Sequence, residues 1–395
     1  ACAPNPETSF VGVTPVQGFK AQSEHNPIYQ QRFGADPYAM VYNDRVYIYM
    51  TDDIIEYDEN GNIKENSYQG IHKINCVSSA DLVNWTDHGA MNVAGADGIC
   101  KYARCSWAPT ACHKTIDGKE QFFLYFADGG NGMAVAVSDN PYGPWTDPRG
   151  NGIITRETPT CNEVPWLFDP AVLIDDDGTG YIYFGGGVPT PADRPALGAD
   201  GKPTKEAMEK FRKEMAKNSA DPGSARVCKL APNMIDLEGV PARINPPYLF
   251  EDAGANKING KYYYSYCTNF SCPTDEPGNG RIAYMVADDP MGPYKFEKVV
   301  FNNPGDFFGT GGNNHHSIFE FKGQYYLAYH AQKLQDNMGL KGGYRSTHID
   351  AVTVAENGEI QTITGTLAGV PQLCSLNPYE RVEAETMAWM GGIKT

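Results

Sequence analysis

The chain has 395 residues and a formal net charge of −16. A surface that acidic repels nucleic acid and anionic membranes, and a neutral polymer such as a polysaccharide is a more natural partner. No run approaches the roughly 18 apolar residues of a membrane span. An excess of Tyr (24) over Phe (17), with 42 Gly and 28 Pro, argues for strands, turns and aromatic-lined clefts rather than a helical bundle.

Five strand-like runs rich in Tyr, Phe, Ile and Leu stand out, at 46–50, 122–126, 181–184, 262–266 and 325–329. Each follows a turn sequence (YNDR, IDGKE, DDDGTG, INGK, FKGQ), so each reads as the second half of a β-hairpin. The aspartates of DDDGTG (175–177) loosely resemble a calcium loop, but no glutamate closes it and a hairpin turn is expected. Some 10 to 15 residues upstream of the five runs lie FGADP (Asp36), SWAP (Trp107), LFDP (Asp169), LFEDAG (Glu251) and NNHHS (His315), spaced 71, 62, 82 and 64 residues apart. Five such repeats predict an all-β, five-bladed β-propeller over residues 26–373, after an N-terminal segment 1–25. AVAVSDNPYGPWTD, IAYMVADDPMGPYKF and the looser SSADLVNWTDHG read as outer strands of three blades. Residues 188–222 break the pattern. KEAMEKFRKEMAK within them predicts a short inserted helix.

The remaining signals are weaker. Ten cysteines include no CxxC pair, which argues against a zinc ribbon, and buried free thiols are favoured over disulfides. The start at Ala1 without a leader reads as a processed or engineered start, with secretion or a cell-surface location expected. Residues 374–395 read as a linker into a module that the sequence only begins. Asn84 and Asn269 sit in glycosylation sequons.

In a propeller the innermost strands line a central channel, so one polar residue per blade at a common point becomes a ring around one site. Asp36, Asp169 and Glu251 then form a set of carboxylates. Hydrolysing a glycosidic bond by inversion needs an acid for the leaving oxygen and a base for the attacking water, about 6.5–9.5 Å apart. A third carboxylate raises the acid's pKa by like-charge repulsion. Singly, Asp-Pro starts turns and Glu251 is a solvated loop charge; the shared repeat position favours the catalytic reading. Trp107 and Phe168 are candidates to stack on sugar faces. Arg345, in GGYRS, is either a surface arginine or a group that binds a sugar hydroxyl. His315 and His316 are metal ligands or core histidines.

Together, FGADPYAMVYNDRVYIYMT, SSADLVNWTDHG, SWAPT, WLFDPAVLIDDDGTGYIYFGGG, FEDAGANKINGKYYYSY and NNHHSIFEFKGQYYLAYH resemble glycoside hydrolase family 43 over roughly residues 26–373. The resemblance implies a five-bladed propeller and an inverting mechanism. It makes Asp36 the general base, Asp169 the pKa modulator and orienting residue, and Glu251 the general acid. It implies that Arg345 contacts sugar, Asn314 likewise, and that a structural calcium ion, held largely through water with few carboxylate ligands, lies near His315, with no cofactor needed for the chemistry. Within the family the pattern is similar to arabinoxylan arabinofuranohydrolases and their xylosidase relatives. The tail VEAETMAWMGGIKT is similar to the opening of a family 6 carbohydrate-binding module. The expected activity is removal of α-L-arabinofuranosyl side chains from arabinoxylan by a monomer, with arabinoxylan or xylo- and arabino-oligosaccharides as partners. The rivals are a β-xylosidase or dual-activity enzyme, a less favoured endo-arabinanase, and a non-catalytic glycan-binding propeller.

Overall fold

The computed structural model describes residues 18–389; Cys2 and the ends of the N-terminal segment and of the tail lie outside them. Five antiparallel sheets follow one another along the chain. Blade I contains β1 (Ala35–Tyr42), β2 (Arg45–Thr51), β3 (Lys73–Ser79) and β4 (Trp85–Asn92); blade II contains β5 (Trp107–Ile116), β6 (Lys119–Ala127) and β7 (Met133–Ser138). Blade III contains β8 (Ala171–Ile174), β9 (Gly180–Phe184), β10 (Ala225–Leu230) and β11 (Leu237–Ile244), with helix α1 (Lys205–Ala220) inserted after β9. Blade IV contains β12 (Leu249–Ile258), β13 (Lys261–Thr268), β14 (Ile282–Ala287) and β15 (Lys295–Phe301), followed by α2 (Pro304–Phe308). Blade V contains β16 (His316–Phe321), β17 (Gln324–Ala331) and β18 (Ser346–Val352), with α3 (Lys333–Asn337) before its last strand. The innermost strands β1, β5, β8, β12 and β16 each neighbour the next, and β16 neighbours β1, so the ring closes.

Blade packing explains why the second strands read as unbroken apolar runs. In β6, Phe122, Leu124 and Phe126 pack with Tyr47 and Tyr49 of blade I, while Phe123 and Tyr125 pack with Ile182 and Phe184 of blade III. Tyr183 turns the other way, toward Tyr264 and Tyr266 of blade IV. Tyr263 meets Leu327 and Tyr329, and Tyr326 and Ala328 meet Val46, Ile48 and Met50. The period of two puts alternate residues into the two flanking interfaces, so both faces of each sheet are buried. Each such large side chain contributes roughly 1.5–3 kcal/mol of burial.

The predicted helix forms, capped by Thr204 Oγ1, which accepts from Ala207 N at 3.1 Å. Asp175–Gly178 is a hairpin turn between β8 and β9, with Gly178 in the left-handed region (φ 82°), not an ion loop. In blade II the outer strand of the GPW motif shrinks to one bridge, Val137 to Thr146.

The segment before β1 closes the ring against β18. Ile28 N donates to Thr347 O (2.9 Å), Gly34 N donates to Arg345 O (3.0 Å), and the Asn26 amide brackets the backbone of Ile349. In the tail, β19 (Thr386–Met387) pairs with β4, and Trp389 Nε1 donates to Lys20 O at 2.8 Å. Among the described cysteines all nine are free thiols, eight of them buried and Cys374 exposed. Asn269 is buried and its amide donates to Ser219 O and Leu249 O, so that sequon presents no acceptor side chain. No helix among the described residues is long and apolar enough to cross a membrane.

Candidate active site

Near the mouth of the channel four innermost segments carry the same kink. Asp36, Ala108, Asp169 and Asp252 all have left-handed backbone (φ 49°, 43°, 52° and 71°). In β1, β5 and β12 the pairing register slips there, between Ala35 and Tyr38, Trp107 and Thr110, and Glu251 and Gly254. Such a bulge re-aims side chains at a sheet end, and aspartate tolerates the conformation better than most residues. The register also corrects the alignment of motifs read from sequence. Ala35, Trp107, Phe168 and Glu251 share one position, and Asp36, Ala108, Asp169 and Asp252 the next. Glu251 is therefore the counterpart of Trp107 and Phe168, not of Asp36, and the blade IV counterpart of Asp36 is Asp252.

Asp36, Asp169 and Glu251 nevertheless converge. All three line one pocket of about 270 Å³, with Trp107, Phe168, His315 and Arg345. Tyr68, Trp166, Phe250, Gly312, Asn313 and Gln332 complete the wall. Asn314 is absent from that wall: it is fully buried and its amide donates to the backbone oxygens of Gly280 (3.1 Å) and Asn302 (3.3 Å). The expected sugar contact of Asn314 is thus corrected, and its neighbour Asn313 lines the pocket instead.

The Asp36 carboxylate lies against a guanidinium, a hydroxyl and two imidazoles, and one of these, His330, accepts the Asp36 backbone N–H on its Nδ1 at 3.1 Å. Arg345 Nη1 donates to Asp36 Oδ1 at 3.0 Å, and His315 Nδ1 and His330 Nδ1 lie 3.4 and 3.3 Å from that oxygen. Thr51 Oγ1 accepts from Ala108 N (2.8 Å), so its own proton goes to Asp36 Oδ2 at 2.6 Å. Burial alone raises the Asp36 carboxyl, but Arg345, His315 and His330 outweigh it and hold the group well below the usual carboxylate range.

Glu251 stands in the opposite setting. It is buried, and its Oε1 has no hydrogen-bond partner in the protein. Burial raises its pKa well above the ordinary value, and the charges of Asp169, Asp36 and Asp252 raise it further. Asp169 is also raised, by burial and then by Asp36, although its Oδ2 accepts from Asp252 N at 2.9 Å. Two buried carboxyls that act on each other's charge titrate as a pair. Within one pocket, the surroundings thus favour the ionised form of Asp36 and the protonated form of Glu251.

That pairing is the chemistry of a glycoside hydrolase, and the model of the glycosyl hydrolases family 43 matches residues 24–360. The chain belongs to this family. It is 47% identical over 385 residues to an arabinoxylan arabinofuranohydrolase from Paenibacillus polymyxa, covering 95% of this chain and 57% of that protein. It is 48% identical over 379 residues to an arabinoxylan arabinofuranohydrolase from Bacillus subtilis, covering 94% and 70%. The chain thus spans only part of the length of these relatives. A solved family 43 arabinoxylan arabinofuranohydrolase from Bacillus subtilis, in complex with cellotetraose, superposes with a TM-score of 0.88 at 46% identity, covering 96% of this chain and 75% of that one. A family 43 β-xylosidase/α-arabinofuranosidase from a compost metagenome, in complex with xylotriose and in a calcium-free form, superposes with a TM-score of 0.60 at 27% identity, covering 89% and 97%.

The family resemblance raised a calcium site at His315. Calcium takes six to eight oxygen ligands. His315 offers only nitrogen, and both nitrogens face carboxylates: Nε2 lies 3.2 Å from Asp252 Oδ1, Nδ1 3.4 Å from Asp36 Oδ1 and 3.8 Å from Asp169 Oδ2. Among the described residues no three His, Cys, Asp or Glu side chains are grouped to hold a metal. The residues present do not fit a direct protein cage for calcium. Of the three carboxylates beside His315, Asp252 is anchored in turn by the backbone N and Nδ1 of His316.

The aromatic wall is a stack. Trp107 lies nearly parallel to Trp166 (6.5 Å, 27°), Trp166 meets Phe168 (5.6 Å, 34°), and Trp107 Nε1 donates to Tyr68 O at 2.9 Å. Trp166 is 43% exposed, at the rim. It was missed in the sequence although it stands three residues before Asp169. Thr51, Asp53 and His330 were missed too, and only the TDD after the first aromatic run and the H after the last hinted at them.

Proposed function

We propose that this chain is an inverting α-L-arabinofuranosidase that removes side chains from arabinoxylan outside the cell. The observation that carries it is the opposite electrostatic setting of two buried carboxyls in one pocket. Asp36, kept ionised, takes a proton from a water as that water attacks the anomeric carbon. Glu251, kept protonated, gives its proton to the departing glycosidic oxygen. One displacement from the face opposite the leaving group inverts the anomeric centre. Asp169 keeps Glu251 protonated by like charge and, through Asp252 N, ties the acid's backbone to itself. Trp107, Trp166 and Phe168 give apolar faces for the C–H faces of sugar rings.

Two observations support arabinoxylan in particular: the relatives at 47% and 48% identity carry that activity in their names, and the pocket is small, with an exposed aromatic at its rim, which suits one branch sugar inside and a main chain across the mouth. A dual activity is the second reading, because relatives at 28% and 29% identity are named xylosidase/arabinosidase. Incubation with wheat arabinoxylan and with linear xylo-oligosaccharides decides: arabinose release is expected, and xylose release without arabinose overturns the first reading. Proton NMR of the first-formed arabinose should show the inverted anomer.

A further inference from the structure

Asp53 is the second residue after β2, and its side chain is closed off from solvent. Its carboxylate accepts three hydrogen bonds, all from one residue. Arg345 Nε (2.9 Å) and the Arg345 backbone N (3.0 Å) donate to Oδ2, and Arg345 Nη2 donates to Oδ1 at 2.8 Å. A bidentate, desolvated pair of this kind fixes the plane of the guanidinium as well as its position. One face of that plane lies over the Tyr68 ring, 4.8 Å from its centroid. The edge left over, Nη1, points to Asp36 Oδ1 at 3.0 Å.

Although Arg345 lines the pocket, three of its five guanidinium N–H donors are directed at carboxylates. Two residues of one strand end thus serve the two oxygens of Asp36. Thr51 donates to Oδ2 directly, and Asp53 reaches Oδ1 through Arg345. We infer that Asp53 is a positioning residue of the reaction: by clamping Arg345 it aims the remaining guanidinium edge at Asp36 and fixes the orientation in which that carboxylate meets the attacking water. This inference rests on the reading of Asp36 as general base.

The test uses an aryl α-L-arabinofuranoside, whose small leaving group needs no polymer site. Asp53→Asn is expected to lower kcat roughly 10²-fold, the scale of a misplaced reacting group, while KM stays within about twofold. Because Asp53 acts through Arg345, the double variant D53N/R345A is expected to be no slower than R345A alone. Should D53N fail to fold, Arg345→Lys carries the same test, since an ammonium keeps the charge but cannot take the two-pronged clamp; the same loss in kcat is expected. A parental kcat in D53N or, where that variant does not fold, in R345K overturns the inference. So does a rise in KM with kcat unchanged, which would mean that Arg345 serves the sugar, and so do losses that multiply in the double variant. A parent that hydrolyses neither arabinofuranosides nor xylosides overturns the reading of Asp36 together with the inference, whereas an active parent with an indifferent D53N overturns the inference alone.

Discussion

Asp36 and Glu251 bring the same functional group, equally buried, to one pocket, and their surroundings give it opposite properties. Asp36 and Glu251 are both buried carboxyls, so desolvation pushes both toward the neutral form. What separates them is what each faces. Asp36 faces a guanidinium, two imidazoles and a hydroxyl, whereas Glu251 faces other carboxyls and keeps an unpaired oxygen. Neighbours rather than burial decide which is base and which is acid.

The largest expected effects come from abolishing either role. Asp36→Asn and Glu251→Gln should each lower kcat on an aryl arabinofuranoside by about 10³-fold or more. A variant that keeps near-parental activity would leave the contrast without chemical meaning. Asp169→Asn should cost roughly 10²-fold, and it sharpens the contrast because it removes the strongest like charge from beside Glu251. The pH profile reads the two carboxyls separately. Activity needs Asp36 ionised and Glu251 protonated. With Asp36 held low and Glu251 held high, the profile of kcat/KM should be a broad bell, falling on the acid side as Asp36 takes a proton and on the alkaline side as Glu251 loses one. In Asp169→Asn, Glu251 ionises more easily, so the alkaline limb should move to lower pH, and by more than the acid limb moves. Movement of the acid limb alone would reverse the assignment. Smallest is the rim: Trp166→Ala should raise KM on polymeric arabinoxylan about fivefold to tenfold, a stacking contribution of about 1–1.5 kcal/mol, with kcat on the aryl substrate unchanged.

Much of this was legible in the sequence, and for a local reason. A turn followed by an aromatic run reports a hairpin, and a run buried on both faces reports a sheet between two others. Five of them gave the propeller, and the helical period of 205–217 gave α1. Asp36 and Asp169 were legible because each sits in a D-P pair at one point of the repeat. Glu251 is found by the same comparison but one place out of register, because the kinked residues Asp36, Ala108 and Asp169 are each followed by Pro whereas Asp252 is followed by Ala253. Asn314 was assigned to the sugar and is a buried strut; Asn313 beside it faces the cavity, and only the backbone path into β16 separates the two.

By itself, then, the sequence determined the blades, their number and the carboxyls available to them, since hairpins and burial patterns are written within a few residues. Only the closed ring decided what those carboxyls are. Asp36 meets Arg345 across 309 residues of chain, and Glu251 feels the charge of Asp169 from the neighbouring blade. Ionisation depends on the charges within a few ångströms of a buried group, whatever their distance along the chain.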